Sequence, residues 1–238
     1  MISKIKYKAI VFDMDGVIIN SKEYVEEFWL EKLNEYDIHI PEGEREARFH
    51  GRPARPTVND LFAELDESTR EQIIEECAKN DASVESYLMI PGVDDFIKQS
   101  HEAGIRLGLV TSALPGKVER MLAGLSASNP FEVIVTANLV DNGKPDPECY
   151  MMAAGKMDID PEKIIVFEDS VSGVTSASNA GATVIGVNED HLSDSLKNAG
   201  AIVVCNDFRM AEFKTEKDGV RVFQGGEKSS FSFVITAG

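Results

Sequence analysis

The chain has 238 residues, 43% of them apolar, with a formal charge of −17 and a mean hydropathy of −0.16, which predicts one large or two modest domains with a proper core. So acidic a surface repels nucleic-acid backbones and anionic membranes, so neither is an expected partner, and no apolar run approaches the roughly 18 residues a membrane span needs. It would also repel an anionic substrate, unless the site supplies its own positive charge or a metal.

In chain order, MISKIKYKAIVF interleaves lysines with apolar residues and reads as the approach to a first strand at 9–12, not as a signal peptide. That strand runs into Asp13-Met14-Asp15 and turns on Gly16. Residues 21–88 then carry only helical patterns, at 22–36, 57–65 and 68–88, which predicts an all-helical insertion. After Pro91-Gly92 short β-branched strands at 105–110, 132–136, 163–167, 183–187 and 201–204 alternate with helices. In GKVERMLAGL, Val118, Met121, Leu122 and Leu125 share one helical face; PECYMMAAGKM opens on Pro147, and SVSGVTSASNAG closes on Gly181. This rhythm predicts an α/β fold: a Rossmann-like, doubly wound parallel sheet core (1–20 and 89–213) with an inserted all-helical cap domain (21–88). The crossings near 16–21 and 87–92 are candidate hinges. The C-terminal extension, 214–238, reads as two strands joined at a glycine turn, which could extend an edge, pair with another copy or cover a face. The scattered Cys77, Cys149 and Cys205 have no CxxC spacing and fit free thiols in a reducing cytoplasm.

In a doubly wound sheet, ligands sit at the carboxyl ends of the strands. There the sequence places Asp13 and Asp15, then Thr111-Ser112, then Lys144 within NGKPDP, then Glu168-Asp169-Ser170. Carboxylates, a hydroxyl and a lysine on one edge describe a phosphate-and-metal site. Singly, each has a plainer reading: a turn at Asp13-Met14-Asp15, a surface lysine, a helix cap at Thr111, or acids starting a helix at Glu168-Asp169. None of these predicts the joint placement.

DMDG at 13–16, LVTS at 109–112, GKPDP at 143–147 and VFEDS at 166–170 resemble the four motifs of the haloacid dehalogenase superfamily, in order, over about residues 8–210. The helical insertion is similar to the cap of that family's small-cap members. The resemblance implies that Asp13 is the nucleophile, forming an aspartyl-phosphate, and that Asp15 protonates the leaving oxygen and then takes a proton from water. It implies that Thr111, Ser112 and Lys144 bind the phosphoryl group, and that Asp13, Asp15 through its carbonyl, Glu168 and Asp169 hold Mg²⁺. Asp15 favours phosphate-ester chemistry over dehalogenation, and the Glu-Asp pair resembles the branch of beta-phosphoglucomutase and sugar-phosphate phosphatases.

In the cap, HGRPARPTV at 50–58 resembles the specificity loop, with Gly51 at its turn. Arg52 and Arg55 are the candidates to meet the substrate, against an equal claim as solvated arginines. Mutases of this branch carry a cap histidine ten residues after the second aspartate; here that position is Val25, which favours hydrolysis. Asn20, standing where relatives carry an aspartate, has no reading. His39, His50, His101 and His191 show no ligand spacing, though His50 adjoins the cap loop. Tyr24, Phe28 and Trp29 fit the cap interior, with sugar stacking as the alternative. The expectation is a Mg²⁺-dependent phosphatase for a small phosphorylated metabolite, a sugar phosphate by preference. The alternatives are a beta-phosphoglucomutase-like phosphotransferase and a phospho-ligand-binding protein without turnover. Monomer and homodimer stay open.

Overall fold

A computed structural model of the chain describes residues 6–49, 52–188, 192–217, 219–224 and 231–236. His50, Gly51 and His191, named above, lie outside the described residues. The chain opens with β1 (Lys6–Tyr7) and β2 (Ala9–Phe12), leaves the sheet through α1 (Lys22–Glu35), α2 (Glu42–Phe49), α3 (Ala54–Leu61) and α4 (Glu67–Ser83), and returns at α5 (Val93–Glu102). It continues as β3 (Arg106–Val110), α6 (Pro115–Gly124), β4 (Val133–Val135), α7 (Glu148–Met157), β5 (Ile164–Glu168), α8 (Val171–Asn179), β6 (Thr183–Val187), α9 (Ser193–Ala199) and β7 (Val203–Cys205). Three further strands follow: β8 (Ala211–Glu216), β9 (Gly219–Gln224) and β10 (Phe231–Ile235).

The main sheet has the order β4-β3-β2-β5-β6-β7, and every pairing in it is parallel. All four residues of β2 are buried, as a central parallel strand covered on both faces requires. Ile10 and Phe12 face a layer that includes Val93, Phe96 and Ile97 of α5 and Val118 and Met121 of α6. Ala9 and Val11 face the opposite layer, with Tyr150 and Ala153 of α7, Val174 of α8 and Leu196 of α9. The chain builds β2, β3 and β4 outward in one direction and then jumps back to β5 on the other side of β2. The crevice at that reversal is where α/β sheets bind ligands. Phe12 pairs with Phe167, and the Asp13 N–H donates to the Phe167 carbonyl at 2.9 Å, so Asp13 and Glu168 leave the sheet side by side.

The insertion is helical throughout its described residues and has its own core, with Phe28, Trp29, Phe49, Val58, Phe62 and Ile73 buried together. The sequence reading missed α2, whose apolar content is too low to show a face (EGEREARF). The two crossings run beside each other: the Asn20 N–H donates to the Leu88 carbonyl at 2.7 Å and the Ile90 N–H to the Ile18 carbonyl at 2.9 Å.

The extension holds three antiparallel strands rather than two, because β8 precedes the expected pair, and β1 joins β10 in parallel to make a four-stranded sheet. Of the three roles left open for it, it covers a face. Alternation puts Val220 and Val222 of β9, and Phe231, Phe233 and Ile235 of β10, into the same core as Phe12 and Phe167. Phe231 meets Phe167 edge-on with centroids 6.0 Å apart, and Phe167 stacks on Phe12 at 5.4 Å. Phe233→Ala is therefore expected to destabilise the protein by about 3–5 kcal/mol, measured by urea unfolding, as for a core phenylalanine rather than a tail residue.

Candidate active site

The floor of the site is the loop after β2. Gly16 has φ of +75°, and a Cβ there would lie 2.0 Å from Oδ2 of Asp169. Only glycine both makes that turn and lets the Asp169 carboxylate rest against the loop. This brings together the ends of β2 and β5.

Lys144 comes from the loop before α7, with a cis peptide to Pro145. Its Nζ donates to Asp13 Oδ1 at 2.5 Å and to Glu168 Oε1 at 2.6 Å, and sits 5.2 Å from the centre of the Tyr150 ring. All three charged groups are buried. The Tyr150 hydroxyl donates to Glu168 Oε1 at 3.1 Å, while the Ser170 N–H and hydroxyl donate to Oε2 at 2.9 and 3.1 Å. Both oxygens of Glu168 are thus filled by protein donors. Gly173 makes room for this arrangement, since a Cβ there would lie 1.6 Å from Glu168 Oε1.

Burial works against the Lys144 ammonium, but Asp13 and Glu168 outweigh it and hold its pKa well above the ordinary lysine value. Burial raises the pKa of Asp13 well above the usual carboxylate range; Lys144 opposes this, while Glu168, Asp169 and Asp15 reinforce it. The cluster therefore carries a surplus of negative charge that a cation would relieve. Among the described residues, no three acidic, histidine or cysteine side chains form a closed metal cage. The donors near Asp13 are nonetheless all oxygens, and an ion that keeps several waters and takes one or two carboxylates, as Mg²⁺ does, fits such a set.

Asp15, two residues on, faces a second buried lysine. Lys117 of α6 lies 2.8 Å from Asp15 Oδ1 and 3.1 Å from Asp81 Oδ1 of the cap, with its Nζ over the rings of Tyr24 and Tyr87. Burial again opposes the ammonium, and Asp15, Tyr24 and Asp81 hold its pKa well above the ordinary value. The Tyr24 phenol donates to Asp81 at 3.3 Å. One core lysine thus joins the candidate acid-base to the cap. The sequence offered no signal for it, because a lysine on an amphipathic helix normally reads as solvated.

Thr111 is buried at the end of β3, where its hydroxyl accepts from the Ala113 N–H at 3.0 Å. Ser112 lines the cavity, together with Asp13, Asp15 and Asp169. The structure thus gathers Asp13, Lys144 and Glu168 by direct contact, and Asp13, Asp15, Ser112 and Asp169 on one wall. Arg52 and Arg55 also line the cavity, but each is already matched inside the cap, Arg52 with Asp60 at 2.9 Å and Arg55 with both oxygens of Glu71. Val25 is half-buried in the wall. The cavity has a volume of about 460 Å³, enough for a small metabolite. Cys77, Cys149 and Cys205 are all free thiols. No helix among the described residues is long and apolar enough to cross a membrane.

A parallel sheet whose switch point presents two aspartates, each against its own buried lysine, under an inserted helical cap, defines a class. The chain belongs to the haloacid dehalogenase-like hydrolases, whose family profile matches residues 10–187. It is 29% identical over 199 residues to validoxylamine A 7'-phosphate phosphatase of Streptomyces hygroscopicus subsp. limoneus, an alignment covering 83% of this chain and 93% of that protein. It is 31% identical over 204 residues to phosphorylated carbohydrates phosphatase of Thermotoga maritima, with the same coverage of 83% and 93%. Among solved structures, beta-phosphoglucomutase from Clostridium difficile superposes with a TM-score of 0.71 at 21% identity, over 85% of this chain and 92% of that one, a likeness of fold. The extension lies beyond the matched region.

Two substitutions test this construction. Gly173→Ala forces the Glu168 carboxylate off Lys144 and is expected to lower kcat about 10²-fold while the far-ultraviolet circular dichroism stays folded. Lys117→Met is expected to lower kcat by about 10²-fold or more, with Lys117→Arg recovering part of the loss, as steady-state kinetics would show.

Proposed function

We propose that the protein is a Mg²⁺-dependent phosphatase that hydrolyses a small phosphorylated metabolite, of the sugar-phosphate class, through an aspartyl-phosphate on Asp13. The observation that carries this reading is the pair of aspartates on the wall of one cavity, each with its own buried lysine at 2.5 and 2.8 Å. Two relatives, named as phosphatases of validoxylamine A 7'-phosphate and of phosphorylated carbohydrates, support the substrate class.

An oxygen of Asp13 attacks phosphorus, and the bond to the leaving oxygen breaks as Asp15 gives that oxygen a proton. Lys144 holds Asp13 in place and offsets charge on the phosphoryl group, helped by Thr111, Ser112 and the N–H groups of their loop. Water then attacks the aspartyl-phosphate, Asp15 takes its proton, and Asp13 is regenerated with release of phosphate. Asp13, Asp169 and the Asp15 carbonyl would hold Mg²⁺, which supplies the positive charge that lets an anionic phosphate approach a carboxylate. Glu168 is assigned to positioning Lys144, since protein donors fill both of its oxygens.

The mutase alternative requires a cap that rebinds a bisphosphate. Arg52 and Arg55, the arginines available for a second phosphate, are already paired with Asp60 and Glu71, and Val25 offers no proton relay. Both features support hydrolysis.

The test follows inorganic phosphate and product identity together across a sugar-phosphate panel, with and without Mg²⁺, including β-glucose 1-phosphate. Metal-dependent phosphate release is expected, abolished by chelation and restored by Mg²⁺. Conversion of the 1-phosphate to the 6-phosphate without free phosphate would make the protein a mutase. Asp13→Asn is expected to reduce turnover more than about 10³-fold, an outcome that a pure binding protein would not show.

A further inference from the structure

The wall that the cap contributes to the cavity is unlike a site for a polyhydroxylated sugar. Val25, Phe28, Trp29, Phe49, Ile74 and Cys77 form its apolar part, drawn from three cap helices. Leu114, 56% exposed, adds an apolar side chain from the core side. The charged side chains on the cavity are matched in pairs. Lys22 lies 3.4 Å from Asp169, Arg52 2.9 Å from Asp60, Arg55 against Glu71, and Lys117 between Asp15 and Asp81. The polar cap residues Tyr24 and Asp81 are engaged with Lys117. The other uncharged polar side chains on the wall are Ser21 and Ser112, beside the Asp13–Asp15 loop, and the amides of Asn80 and Asn138, of which Asn138 Oδ1 already accepts from the Thr136 hydroxyl at 2.7 Å.

We infer that the leaving group is uncharged and presents an apolar ring face to the cap: the substrate is the monophosphate of a cyclic alcohol with few hydroxyls, and it carries no second anionic group. This rests on the phosphatase reading above and replaces its sugar-phosphate leaving group with a less hydroxylated one. A hydroxyl set against such a wall loses its water partners without gaining protein ones, which costs binding at each position. Apolar carbon there removes surface from water on both sides. A second phosphate would meet cations already neutralised, within a chain of charge −17.

The experiment compares two primary phosphate esters on six-membered rings with nearly the same reacting group, cyclohexylmethyl phosphate and glucose 6-phosphate, with p-nitrophenyl phosphate as the measure of phosphatase competence. Fructose 1,6-bisphosphate supplies the second anion. With Mg²⁺, kcat/KM for cyclohexylmethyl phosphate is expected to exceed that for glucose 6-phosphate by about 10²-fold, mostly through KM, with the bisphosphate poorer than either. Val25→Asn and Ile74→Asn, both at half-buried positions, are expected to narrow that ratio. Equal or better turnover of glucose 6-phosphate or the bisphosphate would overturn the inference and leave the phosphatase reading standing. So would release from p-nitrophenyl phosphate with neither ring ester a substrate. No metal-dependent release from any ester would overturn the phosphatase reading and the inference with it.

Discussion

The rest of the site is arranged around one buried ammonium. Lys144 lies between Asp13 and Glu168, and all three are buried, with Asp13 alone also lining the cavity. A charge in that position is tolerable only with partners, and removing one partner of a buried pair typically costs about 3–5 kcal/mol. Three separate stretches of chain must therefore arrive at one point. The strand order delivers two of them, because β2 and β5 are neighbours at the reversal of the sheet. The loop before α7 delivers the third, while Tyr150, Ser170 and the bare backbone at Gly173 secure the far side of Glu168. The nucleophilic role proposed for Asp13 needs this support. Burial alone would favour its protonated form, and a protonated Asp13 does not attack phosphorus.

The same logic repeats at a smaller scale beside it. Asp15 has its own lysine, and that lysine is shared with the cap through Asp81. The proposed acid-base group and the cap thus share one counterion, Lys117. A chain with so large an overall negative charge binds an anion by local means: a few buried cations, each placed by carboxylates.

Much of this was legible in the sequence because it depends on short-range pattern. The AIVF and TVIGV strands lie where their β-branched runs put them, and Asp13, Thr111 and Asp169 directly follow β2, β3 and β5, where side chains project from the sheet edge. What was not legible depends on contacts between distant segments. Lys117 and Asp81 acquire their roles only when α6 meets α4, and neither position carries a local mark. The pairing of Arg55 with Glu71 likewise joins two cap helices. Glu168 and Asp169 are neighbours in sequence, yet alternation along the backbone sends their side chains to different surroundings, Glu168 to Lys144 and Asp169 towards Lys22. Helix α2 escaped notice because it is short and nearly all polar, although its Phe49 is buried in the cap core.

The small sheet beneath the core has a kinetic meaning. Its β1 and β10 pair Lys6 with Val234 and Tyr7 with Ile235, which closes almost the whole described chain into one loop. The strand that leads to Asp13 follows β1 after a single residue, Lys8. Pairings of such long sequence separation form late and raise contact order, the property that slows folding most consistently. On that face the phenylalanines of β2 and β5 are shared between Phe96 of α5, Phe208 and the small sheet, whose Phe231 meets Phe167. The extension thus ties the two ends of the described chain together one residue away from the strand that leads to Asp13.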